Sequence, residues 1–201
     1  MKLMIRYDIS TMADLDEIVA LHDQYLNFGD GVRPYIEESL DSTGVIALKA
    51  IDESGNIAGL IIYTQGIALS GGHPDLCEKI KEITKSALVY TGDAFLVVRE
   101  MRHLGIADAL CKMALKEFKK KASDLGETVY LLHELWVYKN MEKVIPAERV
   151  VNDVYGVTHD LGIYEDFYRD FHLKGFICPI CGPCCICSAK LLLCGISGKG
   201  S

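Results

Sequence analysis

Two stretches of the 201-residue chain carry residue types whose spacing could do chemistry. The first runs Phe95-Leu96-Val97-Val98-Arg99-Glu100-Met101-Arg102-His103-Leu104-Gly105-Ile106-Ala107 and continues into Asp108-Ala109-Leu110-Cys111-Lys112-Met113-Ala114-Leu115. Its apolar, β-branched start reads as a buried strand. After a short turn, Ile106, Ala109, Leu110, Met113, Ala114 and Phe118 recur at helical spacing. A strand that hands over to a helix leaves N–H groups that no intrahelical carbonyl can satisfy. Those donors and the positive end of the helix dipole suit a phosphate or pyrophosphate. Gly105 lets a ligand approach the main chain, and small Ala107 keeps the first helical turn open.

The second stretch is Cys178-Pro179-Ile180-Cys181-Gly182-Pro183-Cys184-Cys185-Ile186-Cys187, a C-x-x-C knuckle followed by more thiols. Thiolates at such short spacing around a turn can supply the four tetrahedral ligands that Zn²⁺ takes. Cys185 and Cys187 share a face of a returning strand while Cys184 looks away. The expected ligands are therefore Cys178, Cys181, Cys185 and Cys187, with Cys184 and Cys194 spare. Unmetallated thiols and a redox pair are the competing readings. Cys77 and Cys111 stand alone in helical patterns, as buried apolar side chains do.

The elements that must position these stretches alternate along the chain. Leu3 to Ile9 reads as a strand, and Ser10 or Thr11 caps a helix with Leu15, Ile18, Val19, His22, Tyr25 and Leu26 on one face. His22 there reads as a hydrogen-bonded core histidine. Asn27 to Gly31 breaks that helix, and Pro34 opens a shorter one through Leu40. Val45–Ile51 and Ile57–Ile67 form a hairpin around Asp52 to Asn56. A helix over Asp75–Val89 follows the Ser70–Pro74 turn as an insertion over one end of the sheet, either as a wall or lid for a ligand site or as a packing or homodimer surface. Thr128–Tyr138 is a fifth strand, with His133 and Glu134 on opposite faces. Asn140 to Gly162 is polar, with a helical turn or two over Ala147–Tyr155. Ile163–Lys174 reads as an aromatic-rich helix stopped by Gly175. A Cys-rich hairpin over 176–194 and a flexible tail over 195–201 complete a single domain of residues 1–194.

The segment around Arg102, Gly105 and Ala107 resembles the acyl-CoA-binding signature of the GNAT superfamily of N-acetyltransferases, Arg/Gln-x-x-Gly-x-Gly/Ala. The strand at Val97 and Val98 stands where that family's fourth strand does. Phe167 to Phe176, running into Gly175-Phe176, is similar to the family's closing motif. The resemblance implies a mixed, mostly antiparallel α/β sheet flanked by helices, with acetyl-CoA bound at a splay between the fourth and fifth strands. It further implies transfer of an acetyl group to a primary amine. Val97, Val98, Arg102, His103, Leu104, Gly105, Ile106 and Ala107 would hold the co-substrate, and the Val97 and Val98 amides would polarise the thioester. The family's tyrosine usually lies four residues before the closing glycine, where this chain has Phe171. Tyr168, or else Tyr164, is then the general acid, unless both only pack. Glu134 is the expected base and Asp93, at the start of the fourth strand, the other choice. Any zinc would be structural. Phe171 also leaves room for a non-catalytic CoA-binding or zinc-stabilised interaction protein on the same fold.

Composition limits the partners. Half the residues are hydrophobic, which is ample for a core. A net charge of −7 makes nucleic-acid phosphate a poor partner and mildly favours an amine-bearing one, and the resemblance implies a small-molecule or peptide amine as the acceptor. No apolar run reaches membrane-spanning length and the N-terminus lacks a signal-peptide core, so a cytoplasmic protein with no membrane partner is expected.

Overall fold

The sheet that the alternating apolar runs predict is formed by seven strands in the spatial order β1-β2-β3-β4-β5-β7-β6. They are β1 Arg6–Ile9, β2 Ile46–Ile51, β3 Ile57–Gln65, β4 Val89–Val97, β5 Val129–Val137, β6 His159–Tyr164 and β7 Ser188–Ile196. Among the described residues the α-helices are α1 Leu15–Tyr25, α2 Val32–Asp41, α3 Pro74–Thr84, α4 Ile106–Leu125 and α5 Pro146–Tyr155. This computed structural model describes residues 4–71, 73–138 and 145–198. Expectations for Leu3, Gly72, Asn140 and the tail beyond 198 lie outside the described residues. Among the described residues no helix is long and apolar enough to cross a membrane.

Every neighbouring pair in the sheet is antiparallel except β4 and β5. Those two run parallel and pair only over Val89–Thr91 and Tyr130–Leu132. Beyond that short ladder they separate, so the sheet forks at its centre. The two faces follow from the alternation of side chains along each strand. One face packs Ile18, Ile36, Ile80, Leu60, Leu96 and Leu132 with α1, α2 and α3. The other packs Ile106, Leu110, Ala114, Phe118 and Val151 of α4 and α5 against Leu48, Ile61 and Leu131.

Several boundaries differ from the sequence reading. The α3 helix stops at Thr84 rather than Val89, because Lys85 and Ser86 both turn left-handed, at φ 50° and 59°. Leu88, expected on that helix, precedes the β4 strand. Ile163–Lys174 is not a helix. Ile163 and Tyr164 end β6, paired with Lys190 and Ala189, and Asp166 at φ 50° breaks any helical path. A short 3₁₀ turn over Phe171–Lys174 is all that remains, closed by Gly175 at φ 79°. The hairpin expected over 176–194 is absent too: β7 pairs with β5 and β6, while residues 175–187 form loops. Gly195 and Ile196 belong to β7 rather than the tail, pairing with Tyr130 and Val129.

His22 is the core histidine it was expected to be, 2% exposed with Nδ1 3.0 Å from the Asn27 carbonyl. His133 is buried on the α4–α5 face, stacked on Tyr155 at 5.2 Å. Burial pushes its imidazole from the usual 6.5 down to about 3. The unfolded chain therefore takes up a proton that the folded chain refuses. The stability that neutral His133 contributes is complete above pH 6.5 and is lost as pH falls toward 3. Chemical denaturation of His133→Phe should show a shallower loss of stability over that window than the parent chain. An identical slope would exclude this histidine as the cause.

Candidate active site and a four-thiol centre

The fork is built by two strands that can no longer pair. In the antiparallel β3–β4 ladder, Val98 N–H donates to the Ala58 carbonyl at 3.0 Å. Alternate residues in such a ladder turn their N–H and C=O groups to opposite sides. Val97 N–H therefore faces away from β3 and into the fork. The Val97 carbonyl does the same and accepts a hydrogen bond from Arg102 Nε at 3.1 Å. Of the two amides expected to polarise a thioester, Val98 is committed to the ladder and Val97 alone is directed at the gap.

Past β4 the chain makes a 3₁₀ turn over Arg99–Met101 and enters α4 through Gly105 at φ 80°. His103 is also left-handed, at φ 65°. The Arg102 amide closes the turn on the Arg99 carbonyl at 3.3 Å, so it is not among the free donors the sequence reading expected. Among the described residues, the N–H groups of His103, Leu104, Gly105, Ile106 and Ala107 have no such acceptor. They cluster at the positive end of a 20-residue helix. Residues Arg102 to Gly105 are exposed, so a ligand in the fork can reach them. Below them, Gly59 lets β3 pass under α4, since a Cβ there would lie 2.8 Å from Ile106 Cγ2.

Two carboxylates flank the fork. Asp93 follows the last paired residue of β4, Thr91, by two positions, and Glu134 follows its partner Leu132 on β5 by the same interval. A bulge in β4 at this point leaves Asp93 without a partner on β3. Asp93 is thus inside the strand, not at its start. Ser39 Oγ donates to Asp93 Oδ2 at 3.4 Å, and Tyr35 Oη donates to the Asp93 carbonyl at 3.3 Å. Burial lifts the Asp93 carboxyl to about 6, opposed by hydrogen bonds from Thr64, Tyr35 and Ser39. Glu134 accepts the Ser70 amide at Oε2, 2.9 Å away, and lies beside the Tyr168 hydroxyl. Burial raises its carboxyl as well, opposed by those bonds and by Lys174. Tyr35 feels both carboxylates, which add to the burial that holds its phenol protonated.

Tyr168 is 2% exposed and stacked on Trp136 at 4.1 Å. Burial and the adjacent Glu134 charge keep its phenol protonated. The sequence-predicted Tyr168 and Glu134 are therefore in contact. Tyr164, the second choice, is not with them: its hydroxyl donates to the Leu161 carbonyl at 3.1 Å. Two residues of the cluster, Tyr35 and Ser39, were not foreseen. They lie four apart on α2, so their shared face was legible, but only the bulge at Asp93 gives that face a partner. The Trp136 indole N–H, on the β5 wall of the fork, has no acceptor among the described residues.

The four expected thiols also converge. Cys178, Cys181, Cys185 and Cys187 place their sulfurs within 4.8 Å of one another, three of them buried and Cys181 half-buried. Cys187 Sγ lies 3.5 Å from Cys181 Sγ and 4.0 Å from Cys178 Sγ. A tetrahedral zinc site with Zn–S bonds of about 2.3 Å separates its sulfurs by about 3.8 Å. These distances are far too long for disulfides, and all four cysteines are free. Backbone N–H groups of Ile180 and Cys181 point at Cys178 Sγ, both at 3.4 Å, and Cys187 N–H at Cys185 Sγ, at 3.5 Å. Such donors support thiolate charge on a metal. Cys184 is exposed and Cys194 buried in β7, outside the group.

No protein-family model and no curated protein matches the chain in sequence. Solved structures do match it in fold. NAA60 of Arabidopsis thaliana in complex with a bisubstrate analogue aligns over 98% of this chain and 100% of its own, with TM-score 0.63 and 15% identity. The same plant protein with acetyl-CoA aligns over 96% and 99%, again at TM-score 0.63 and 15% identity. The ribosomal-protein-S18-alanine N-acetyltransferase of Escherichia coli aligns over 98% and 97%, with TM-score 0.60 and 13% identity. At these identities the likeness establishes the fold, which is the GNAT N-acetyltransferase fold.

Proposed function

We propose that this GNAT-fold chain transfers an acetyl group from acetyl-CoA to a primary amine, on a small molecule or a peptide. The observation that carries the reading is the fork itself. It has free amides at the α4 N-terminus on one side and the Asp93–Tyr35–Glu134–Tyr168 group on its opening face. The amides of His103 to Ala107 take the diphosphate, and Val97 N–H bonds to the bound acyl-pantetheine arm within reach of the thioester. Arg102, fixed on the Val97 carbonyl, holds the turn against the strand end.

In the reaction the amine nitrogen attacks the thioester carbon, the C–S bond breaks, and the amine loses one proton. Asp93, its carboxyl at about 6 and ionised at neutral pH, accepts that proton. This exchanges the order of the two carboxylates expected from sequence. Glu134, gripped by Ser70 and Tyr168, instead holds the phenol in place. Tyr168, protonated at neutral pH, donates to the departing thiolate. Positioning supplies much of the remainder, on the order of 7–11 kcal/mol in well-oriented systems. A zinc ion on Cys178, Cys181, Cys185 and Cys187 is structural in this reading, and a cytoplasmic setting keeps those thiols reduced.

Incubating the protein with acetyl-CoA and a panel of amines, while following free CoA thiol, tests the proposal. Amine-dependent release supports it; binding of acetyl-CoA without release on any amine would favour the CoA-binding protein that Phe171 and the near-complete burial of Tyr168 suggest. Tyr168→Phe should lower turnover at least tenfold with acetyl-CoA affinity retained. An unchanged rate would remove Tyr168 from the mechanism.

A further inference from the structure

The four-thiol centre sits on the stretch of chain that follows Phe171 and Phe176, whose rings lie next to Tyr35. Residues 175–177 run along the α1–α2 connection as a short backbone zipper. Ile177 N–H donates to the Phe28 carbonyl at 2.7 Å, Phe28 N–H to Ile177 at 3.2 Å, and Gly31 N–H to Gly175 at 3.0 Å. The approach is so close that a Cβ on Gly29 or Gly31 would sit within 2.3 Å of the Gly175 or Lys174 carbonyl. Cys178 is the residue that follows the zipper, and its own backbone pairs with Gly182. Phe176 stacks on Phe171 at 4.4 Å and meets the edge of Tyr35 at 5.6 Å, and Tyr35 is the phenol bonded to Asp93. On the other flank, Cys178, Cys185 and Cys187 share one buried cluster with Tyr168, and Tyr138 packs against it.

We infer that a zinc ion bound by Cys178, Cys181, Cys185 and Cys187 fastens the acceptor-side wall of the active site, so that metal occupancy governs amine turnover without governing acetyl-CoA binding. The inference rests on the acetyltransferase reading for its turnover arm, and on the thiol geometry alone for its metal arm. The reasoning is spatial. Residues 165–187 contain no strand or α-helix, so little regular hydrogen bonding fixes their path. The loops nevertheless carry Tyr168, Phe171 and Phe176, which shape the Tyr35 and Glu134 side of the fork. Four thiolates on one ion close the 178–187 segment on itself and anchor it at the start of β7. The ligand protons are released to solvent on binding. The diphosphate turn and Val97 belong to β4 and α4, whose positions are set by the β3 ladder and the α4 core rather than by these loops.

Trp136 makes the wall observable. It is the one tryptophan of the chain, and it stacks on Tyr168 at 4.1 Å and on Tyr138 at 5.9 Å. Native mass spectrometry of the reduced, purified protein should show one zinc per chain. Exchange into cobalt(II) should give the thiolate charge-transfer and tetrahedral ligand-field bands of a four-sulfur site. Removing the metal with a chelator under reducing conditions should shift Trp136 emission and cut amine-dependent CoA release at least tenfold. Acetyl-CoA affinity by calorimetry should stay within about threefold, and returning zinc should restore emission and rate. Cys181→Ser, at the most exposed ligand, should reproduce the metal-free state, and Cys184→Ser should leave everything unchanged. If Cys181→Ser does not fold, the chelation series decides by itself. A chain that takes up no zinc or cobalt, or loses zinc with neither emission nor turnover altered, overturns the inference. Failure to bind acetyl-CoA or to turn over any amine counts against the acetyltransferase reading instead, because metal content and Trp136 emission are still read.

Discussion

Asp93→Asn is expected to lower turnover about a hundredfold or more, the usual scale for removing a positioned general base, while acetyl-CoA binds as before. The residue touches α2 through Ser39 and sits in a bulge that β3 does not pair, so the amide fits where the carboxylate was. The pH profile sharpens the test. A base with its carboxyl at about 6 must be ionised to act, so the parent rate should rise through that pH and then level. In Asp93→Asn that limb should vanish from the residual rate. Stability moves the other way. The folded pKa stands above the ordinary 3.8, so the folded chain holds this proton more tightly, and the carboxyl's contribution fades as pH rises from about 4 to about 6. Asn carries no charge to bury, so the variant should be no less stable than the parent at pH 8. A variant that keeps its rate, or loses it only by unfolding, would return the proton to Glu134.

Gly105→Val should weaken acetyl-CoA by about a hundredfold. At φ 80° a β-branched residue is strained, and the turn must move to relieve it. Hydrogen bonds to charged groups contribute roughly 1.5–3 kcal/mol each, so misplacing two of the His103–Ala107 amides accounts for an effect of that size. No steric collision confuses the result, since a Cβ at Gly105 meets nothing within 4 Å. Gly105→Asn is the control. Asn visits the left-handed region readily, and it should keep most of the affinity. Equal losses in both variants would mean that the side chain, not the backbone geometry, is at fault.

The turn proposed to take the diphosphate was legible as a strand-to-helix turn because its signal is local. An apolar strand, a turn with one glycine and a helical stripe together fix where the amides lie, and His103 to Ala107 occupy that place while the Arg102 amide closes the turn instead. The four thiols were legible for a similar reason, since knuckle spacing and the in-and-out alternation of Cys184 to Cys187, which the loop keeps although it is no strand, pick the same set that converges in space. What depended on distant contacts was missed. Tyr35 and Ser39 gain their meaning only from Asp93, some 55 residues away in sequence, through a bulge that no local pattern announces. Ile163–Lys174 misled because its apolar spacing suits a helix. The open edge of β7 takes Ile163 and Tyr164 into β6, and left-handed Asp166 then redirects the chain. Val98 was misassigned because which amide of a strand faces its neighbour is a matter of register, set by β3.

Titration calorimetry of the purified chain with acetyl-CoA, with CoA, and with a pantetheine thioester lacking the diphosphate tests the central claim most directly. The fork and the α4 amides predict one site per chain for the first two ligands and binding at least a hundredfold weaker for the third. No heat with acetyl-CoA or CoA, or equal affinity for all three, would contradict it.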